Sequence, residues 1–376
     1  MKLSKQIFLE NYKKPVKFIE AKTSMLMSDG LITYSPDKGI PFYLPIGRKI
    51  LKNIQELLTI EAEKKDMSQI EVPYLVRDEI LNSREGLTET FSKRVIKLDN
   101  SYFKGYHLRA TPEPSILNLI GNSQLTHVQL PIKYVFNAES FMGVQHPKNI
   151  LRGRQFNSFI GASLNADENS MEESILLYEN FTKTILDKLN IPFLRKKKDG
   201  GRGSEVFYET PEGDNVSIPE LSSERIKGMS LGMVYDYNSK NGKRVKFKDN
   251  NNNNQEVLYC TFGLGVQRVV YALMDSSRDE KGFDLKKMAP FDLSVIPANM
   301  SFSKEALETY EQLPGNIMLD DRKNKEWGKK ADFSDYIGIP YKVIVDKDGY
   351  TLKDRSEKRI NKFKNLESLA NYIDNG

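Results

Sequence analysis

Around Ser277 to Lys287 the chain turns polar and charged, and its pattern changes on either side of that segment. This change limits the available folds more than any other feature. Ahead of it, from Ile191 to Cys260, short apolar runs alternate with turn signals such as Gly200-Gly201 and Asn241-Gly242, the signature of antiparallel sheet. Beyond it, FDLSVIPAN, NIMLDD and YKVIVD read as strands. SKEALETYEQL, the stretch near Lys330 to Ile337 and NLESLANYI read as helices. Strands that alternate with helices imply a largely parallel sheet. The expected architecture is a large antiparallel α+β domain, residues 1–280, joined to a small α/β domain, residues 289–376.

Within the large domain, Gly47 to Asp66 predicts a helix with Ile50, Leu51, Ile54, Leu57 and Leu58 on one face. Ile70 to Val76 reads as a strand. Proline offers no ladder N–H, so Pro73 marks an edge, a bulge or an interface. Lys133–Ser140 and Gln155–Ala162 read as an antiparallel hairpin with a long basic connection carrying Gly143, His146 and Pro147. Ser170-Met-Glu-Glu173 has the form of a capping box opening a helix, with Ile175, Tyr178, Phe181, Ile185 and Leu189 inward. Gly263 to Leu273 reads as a glycine turn before an apolar helix.

Composition excludes some chemistry. One cysteine allows no disulfide framework or thiolate cluster, and the three histidines, His107, His127 and His146, are not spaced as a zinc set. The opening MKLSKQIFLENYKKP lacks the apolar core of a signal peptide, and no stretch reaches membrane-spanning length. A cytoplasmic protein is expected. A net charge of +5 fits a polyanionic partner and equally fits a lysine-rich solvated surface.

Three groups of residues have chemical potential. Gly263-Leu-Gly-Val-Gln-Arg268 is either a phosphate-approaching turn with an arginine near a helix start or a plain packing turn. Glu139 with Arg152, Arg154 and Phe156 offers a carboxylate for an adenine amino group, a ring for its face and guanidinium groups for phosphates. The same residues also make an ordinary charged hairpin. Thr111-Pro-Glu113 precedes a helix; its glutamate either receives an ammonium group or simply favours the helix dipole.

The order and neighbours of these groups resemble the class II aminoacyl-tRNA synthetases, specifically the bacterial prolyl type, along nearly the whole chain. MKLSKQIF, Gly30-Leu-Ile32 and GIPFYLPIGRKIL look like the family's opening, and the helix with EVPYL looks like motif 1. TPE resembles the T-x-E loop, YVFNAES through LRGRQF motif 2, and FGLGVQR motif 3. GSEVFYETPEGDNVSI resembles the sheet segment before motif 3, and DEKG with APFDLSVIP the exit toward an anticodon domain. LDDRKNKEWGKKADFSDYIGIPYKVIV resembles that domain itself.

The resemblance implies a class II antiparallel sheet flanked by helices, followed by an anticodon-binding-like domain. It implies ATP-dependent activation of proline to prolyl-adenylate and transfer to tRNA. Glu139 would read the adenine amino group, Phe156 would stack on the ring, and Gly263, Gly265 and Arg268 would complete the ATP site. Arg152, Arg154 and Arg268 would stabilise phosphate charge, and Thr111 and Glu113 would hold the proline amine. Mg²⁺ would bridge phosphates mostly through water, with no protein metal site. Asp320, Asp321 and Arg322 fall where tRNA-facing elements begin, and motif 1 around Pro73 implies a homodimer.

The sequence also departs from the family. Asn137 stands where motif 2 carries an arginine that neutralises the α-phosphate, a contact whose loss costs roughly 3–4 kcal/mol. Lys133 or a loop arginine is the candidate replacement. Gln155 stands in place of glutamate, Lys227 in place of histidine, and Pro114 in place of a second acid. Motifs 2 and 3 lie only about ninety residues apart, too close for an inserted editing domain of usual size. The expectation is therefore a ligase without cis editing. The alternatives are a degenerate paralogue that binds tRNA or a ligase for another amino acid.

Overall fold

The computed structural model describes residues 1–6, 18–28, 31–82, 93–148, 150–198, 202–218, 225–236, 245–355 and 360–374. Part of the opening MKLSKQIF, Gly30 and the turns Gly200-Gly201 and Asn241-Gly242 lie outside them. The chain divides into two compact units, one of Ser35–Pro41 with Ile54–Ala272 and one of Met1–Tyr34, Phe42–Asn53 and Leu273–Gly376.

In chain order the elements that matter begin with α1 (Pro45–Glu63), β1 (Ser68–Gln69), β2 (Leu75–Arg77), β3 (Tyr106–Leu108) and α2 (Glu113–Gly121). Next come β4 (Ile132–Phe141), β5 (Gln155–Asn165), α3 (Glu168–Lys188), β6 (Leu194–Lys197), β7 (Gly203–Ser217), β8 (Arg225–Asp236), β9 (Leu258–Gly265) and α4 (Val266–Ser276). The first unit is built on a seven-stranded sheet in the order β1-β4-β5-β9-β8-β7-β6. Its neighbours are antiparallel except β1, which runs parallel to β4.

One face of this sheet is covered by α3. Phe181 on that helix stacks on Phe159 at 6.0 Å, and Tyr178 meets Phe262 at 4.6 Å. Gly161 makes room for this layer, because a Cβ there would lie 2.0 Å from the Phe262 ring. The other face carries Phe136, Ala138, Ile160 and Ala162, packed with Ile116 and Ile120 of α2.

Several local expectations are corrected. The α3 cap is Asp167, whose carboxylate accepts from the Ser170 N–H at 2.8 Å; Ser170 is its third residue and not the cap. Ile70–Pro73 do not form a strand. Only Leu75–Arg77 pairs, with Tyr106–Leu108, because Pro73 cannot donate and the carbonyls of Val72 and Pro73 accept from Arg109. Gly263 and Gly265 belong to β9 rather than to a turn, opposite Ile160 and Ser158. The short strands expected between Ile191 and Cys260 include two long ones, β7 and β8, which pair through register shifts at Val206/Phe207 and Glu209/Asp214.

The second unit holds β10 (Leu293–Pro297), α5 (Ser303–Gln312), β11 (Ile317–Leu319), α6 (Trp327–Tyr336), β12 (Tyr341–Asp346), β13 (Gly349–Asp354), β14 (Ile360–Phe363) and α7 (Leu366–Asp374). Its five-stranded sheet has the order β11-β10-β12-β13-β14. The first three strands are parallel as expected, while β13 and β14 add an antiparallel edge that the alternation of helix and strand did not reveal. Val295, Val343, Ala306 and Leu369 are fully buried between sheet and helices.

Residues near the start of the chain belong to this unit for specific reasons. Lys2 bridges to Leu319, Ser4 donates to the Asp321 carboxylate at 2.7 and 2.5 Å, and Arg278 donates to the carbonyls of Phe18, Ile19 and Ala21. Contacts therefore do not divide the chain at a single boundary between 280 and 289.

Candidate active site

A cavity of about 820 Å³ opens on the sheet face of β5, β8 and β9, beneath the loop that joins β4 to β5. Its floor includes Ser158, Ile160, Met233, Gly263 and Gly265. A Cβ on Gly263 would come no closer than 3.8 Å to Ile160, and one on Gly265 no closer than 3.6 Å to Arg268. The fold itself would thus admit a side chain there; what the glycines keep open is floor space in the cavity.

Four arginine or lysine residues line the wall, Lys93, Arg94, Arg152 and Arg268, with Phe156 among them. Arg268 sits in the first turn of α4. Its Nε donates to the Leu151 carbonyl at 3.0 Å and its Nη1 to the Ser230 carbonyl at 2.8 Å. Burial lowers its pKa below the ordinary arginine value, and the nearby Arg152 charge acts in the same direction. A guanidinium in this position favours an anion. Arg152 itself bonds the Asp214 carboxylate at 3.2 Å.

At another part of the wall lies Glu113, the first residue of α2 and only 4% exposed. It sits in the first turn of α2, at the positive end of the helix dipole. The Tyr235 hydroxyl donates to Glu113 Oε1 at 3.2 Å, and the Lys198 ammonium lies 4.2 Å over the Tyr235 ring. A buried carboxylate in a cavity wall is a receptor for a cationic group.

The other expected site residues lie apart from the lining. Glu139 stands opposite Asn157 while Phe156 stands opposite Ser140, so the alternation of β4 turns Glu139 away from the Phe156 face. Its carboxylate accepts from Gln155 Nε2 at 2.5 Å. Arg154 is fixed through its backbone N–H, which donates to the Gly39 carbonyl at 2.7 Å. Gly39 has φ +83°, and a Cβ there would meet Pro147 at 2.8 Å. Thr111 is half-buried, two residues before Glu113.

One residue that the sequence did not suggest is Arg109, 2% exposed. Its guanidinium donates to the carbonyls of Val72, Pro73 at 3.1 Å and Glu139 at 2.6 Å, and lies 4.8 Å over the Tyr74 ring. It ties the segment around Pro73 to β4, four residues ahead of Glu113 in the chain. The sequence signal was indirect: a proline in an apparent strand leaves carbonyls without ladder partners.

Residues 292–375 match the family model described as an anticodon binding domain. The proline–tRNA ligase of Sulfurimonas denitrificans is 23% identical over 367 residues, covering 82% of this chain and 84% of that one. The proline–tRNA ligase of Rickettsia akari is 23% identical with 99% of this chain and 100% of that one covered. Among solved structures, prolyl-tRNA synthetase of Cryptosporidium parvum, complexed with halofuginone and AMPPNP, matches with a TM-score of 0.73 at 17% identity, covering 95% of this chain and 78% of that one. Giardia lamblia prolyl-tRNA synthetase, in complex with prolyl-adenylate, matches with a TM-score of 0.73 at 16% identity, covering 92% and 74%.

The chain is similar to the proline–tRNA ligases over most of its length and shares the fold of the solved prolyl-tRNA synthetases. Within that fold Asn137, expected from the sequence to hold the place of a motif 2 arginine, is exposed and stands opposite Phe159, whose ring packs on α3. Lys133 has the same parity on β4, opposite Ser163, and is not among the lining residues. The arginines and lysines that do reach the cavity come from loops and from α4, at 93, 94, 152 and 268.

Within residues 292–375, the span that matches the anticodon binding domain model, the three residues expected to face tRNA are engaged with other residues of this chain. Asp320 is fully buried and holds Arg322 through two bonds of 2.8 and 2.6 Å; Arg322 lies 4.6 Å over Phe333. Asp321 accepts from Ser4. The Asp320 carboxylate is thus buried and spent on Arg322 rather than presented at the surface. Among the described residues no helix is long and apolar enough to cross a membrane, and no cluster of three or more His, Cys, Asp or Glu side chains could hold a metal ion.

Proposed function

We propose that this protein activates proline with ATP and transfers it to the tRNA for proline. The observation that carries the reading is that Glu113, Phe156, Arg152 and Arg268, from the segments that resemble the T-x-E loop, motif 2 and motif 3, line one cavity. Phe156 stacks on adenine and Arg268 covers its other face or the distal phosphates. Arg152 takes phosphate charge, the work left undone at Asn137. Glu113, steadied by Tyr235, receives the proline ammonium with Thr111 beside it. Glu139 acts through Gln155, ordering the hairpin that presents Phe156.

Mg²⁺ carried by the nucleotide would supply further screening of phosphate charge, and no side chain of the cavity is assigned to hold it. Catalysis is then positioning and charge stabilisation, with no covalent nucleophile on the protein. Residues 1–280 carry this chemistry, and residues 289–376 bind the anticodon arm. Two copies associate around Pro73, where Tyr74 and Leu75 leave apolar surface 46% and 42% exposed. The site of action is the cytoplasm.

The deciding experiment is amino-acid-dependent ATP–pyrophosphate exchange across all twenty amino acids. Proline-dependent exchange above the others is expected. A folded protein that binds tRNA but shows no exchange with any amino acid would instead be a binding paralogue.

A further inference from the structure

The β7 strand leaves its register between Glu209 and Asp214, which both stand opposite Gly228. Gly213 allows this bulge, since a Cβ there would lie 2.6 Å from the Gly228 backbone. Tyr271, one turn beyond Arg268 on α4, holds the bulge in place. Its hydroxyl bonds Thr210 at 2.9 Å and donates to Glu212 at 2.7 Å. Asp214 is thereby delivered to the loop over the cavity, 3.2 Å from Arg152 and 3.6 Å from Lys148. The third cation, Arg268, feels the Asp214 charge and is tied to Leu151, the neighbour of Arg152. Two cations thus pair with one carboxylate, and a third, Arg268, lies within reach of its charge; Arg152 and Arg268 line the cavity.

Cations gathered this closely repel each other unless an anion is among them. We propose that Asp214 is a positioning residue that stands in for a phosphate group. It holds Lys148 and Arg152 in place while nucleotide is absent and yields Arg152 as phosphates arrive. In consequence it weakens ATP binding slightly and speeds the departure of pyrophosphate. The inference rests on reading the cavity as the ATP site. Asp214 is 66% exposed and Arg152 43% exposed, so the pair is easily exchanged and contributes little to folding.

The test is calorimetric titration of the full chain with ATP and, separately, with inorganic pyrophosphate, alongside steady-state exchange kinetics. Asp214→Asn should tighten both ligands by about two- to fivefold, the range set by an exposed ion pair. The KM for proline and the thermal midpoint should stay unchanged, and Asp214→Glu should behave as the wild type. Weaker ATP binding in Asp214→Asn, as for a carboxylate that helps hold the nucleotide, would overturn the inference, and so would no change. Arg268→Ala separates the two readings. If it abolishes ATP binding while Asp214→Asn has no effect, the site stands and this inference falls. If Arg268→Ala binds ATP normally, the site reading falls and takes the inference with it.

Discussion

The Nε of Arg268 donates to the Leu151 carbonyl at 3.0 Å, so a helix residue holds down the loop that closes over the cavity. The same guanidinium reaches Ser230 through Nη1 at 2.8 Å. A lysine keeps the charge but cannot make two bonds in a fixed fork. Arg268→Lys is expected to lower proline-dependent exchange by about a hundredfold, the cost of one misplaced transition-state donor. Exchange kinetics with ATP as the varied substrate would check this; a variant with unchanged kcat/KM would mean the guanidinium geometry is not used.

Asn137 gives a sharper test, because sequence position and structure lead to different expectations. By position, restoring arginine should restore an α-phosphate contact. By register, residue 137 stands opposite Phe159 on the α3 side of the sheet and is exposed. Asn137→Arg is therefore expected to change exchange by no more than about twofold, as for an ordinary surface substitution. A gain approaching about a hundredfold would show that an arginine at 137 reaches the phosphate and that β4 runs in another register in solution.

The gross plan was legible in the sequence because it rests on strong periodicities. The amphipathic α1, the β4–β5 hairpin and the α/β alternation after residue 289 each follow from local spacing. What stayed hidden depends on contacts between distant segments. Arg109 reads as an ordinary surface cation until Val72, Pro73 and Glu139 are brought around it. The parity of Glu139 depends on pairing with Asn157, and one residue of slip moves a side chain to the other face. Asp167 and Ser170 both suit a helix start, and only the backbone bond decides between them. The edge strands β13 and β14 break the alternation rule because a hairpin needs no crossover helix.

His107 makes stability depend on pH in a defined direction. The ring is 1% exposed, with Nδ1 3.1 Å from Asp78 Oδ1. Burial lowers its pKa below the ordinary histidine value, against the opposing pull of Asp78. The unfolded chain then binds more protons once the pH drops below about 6.5, so stability is full above that pH and falls below it. Urea unfolding at about pH 7.5 and about pH 5.5 should give a lower midpoint in acid, and His107→Gln should reduce the difference. A midpoint that rises in acid would mean that Asp78 outweighs burial.

The segment between motifs 2 and 3 bears on fidelity. Its described residues are accounted for by α3, the sheet strands β6 to β8 and a small hairpin of Lys246–Lys248 with Asn254–Glu256. On the proposed function, these described residues leave discrimination to the cavity. A pocket that accepts the proline ring cannot strongly reject a smaller apolar amino acid, since each methylene is worth only about 1–3 kcal/mol. Alanine should therefore support measurable pyrophosphate exchange, with lower kcat/KM than proline. Preformed alanyl-tRNA for the proline anticodon, incubated with the purified chain, should remain acylated beyond its spontaneous rate of hydrolysis. Rapid deacylation would place an editing site within this chain, and undetectable alanine activation would require a polar or steric exclusion in the cavity wall beyond the size of the ring.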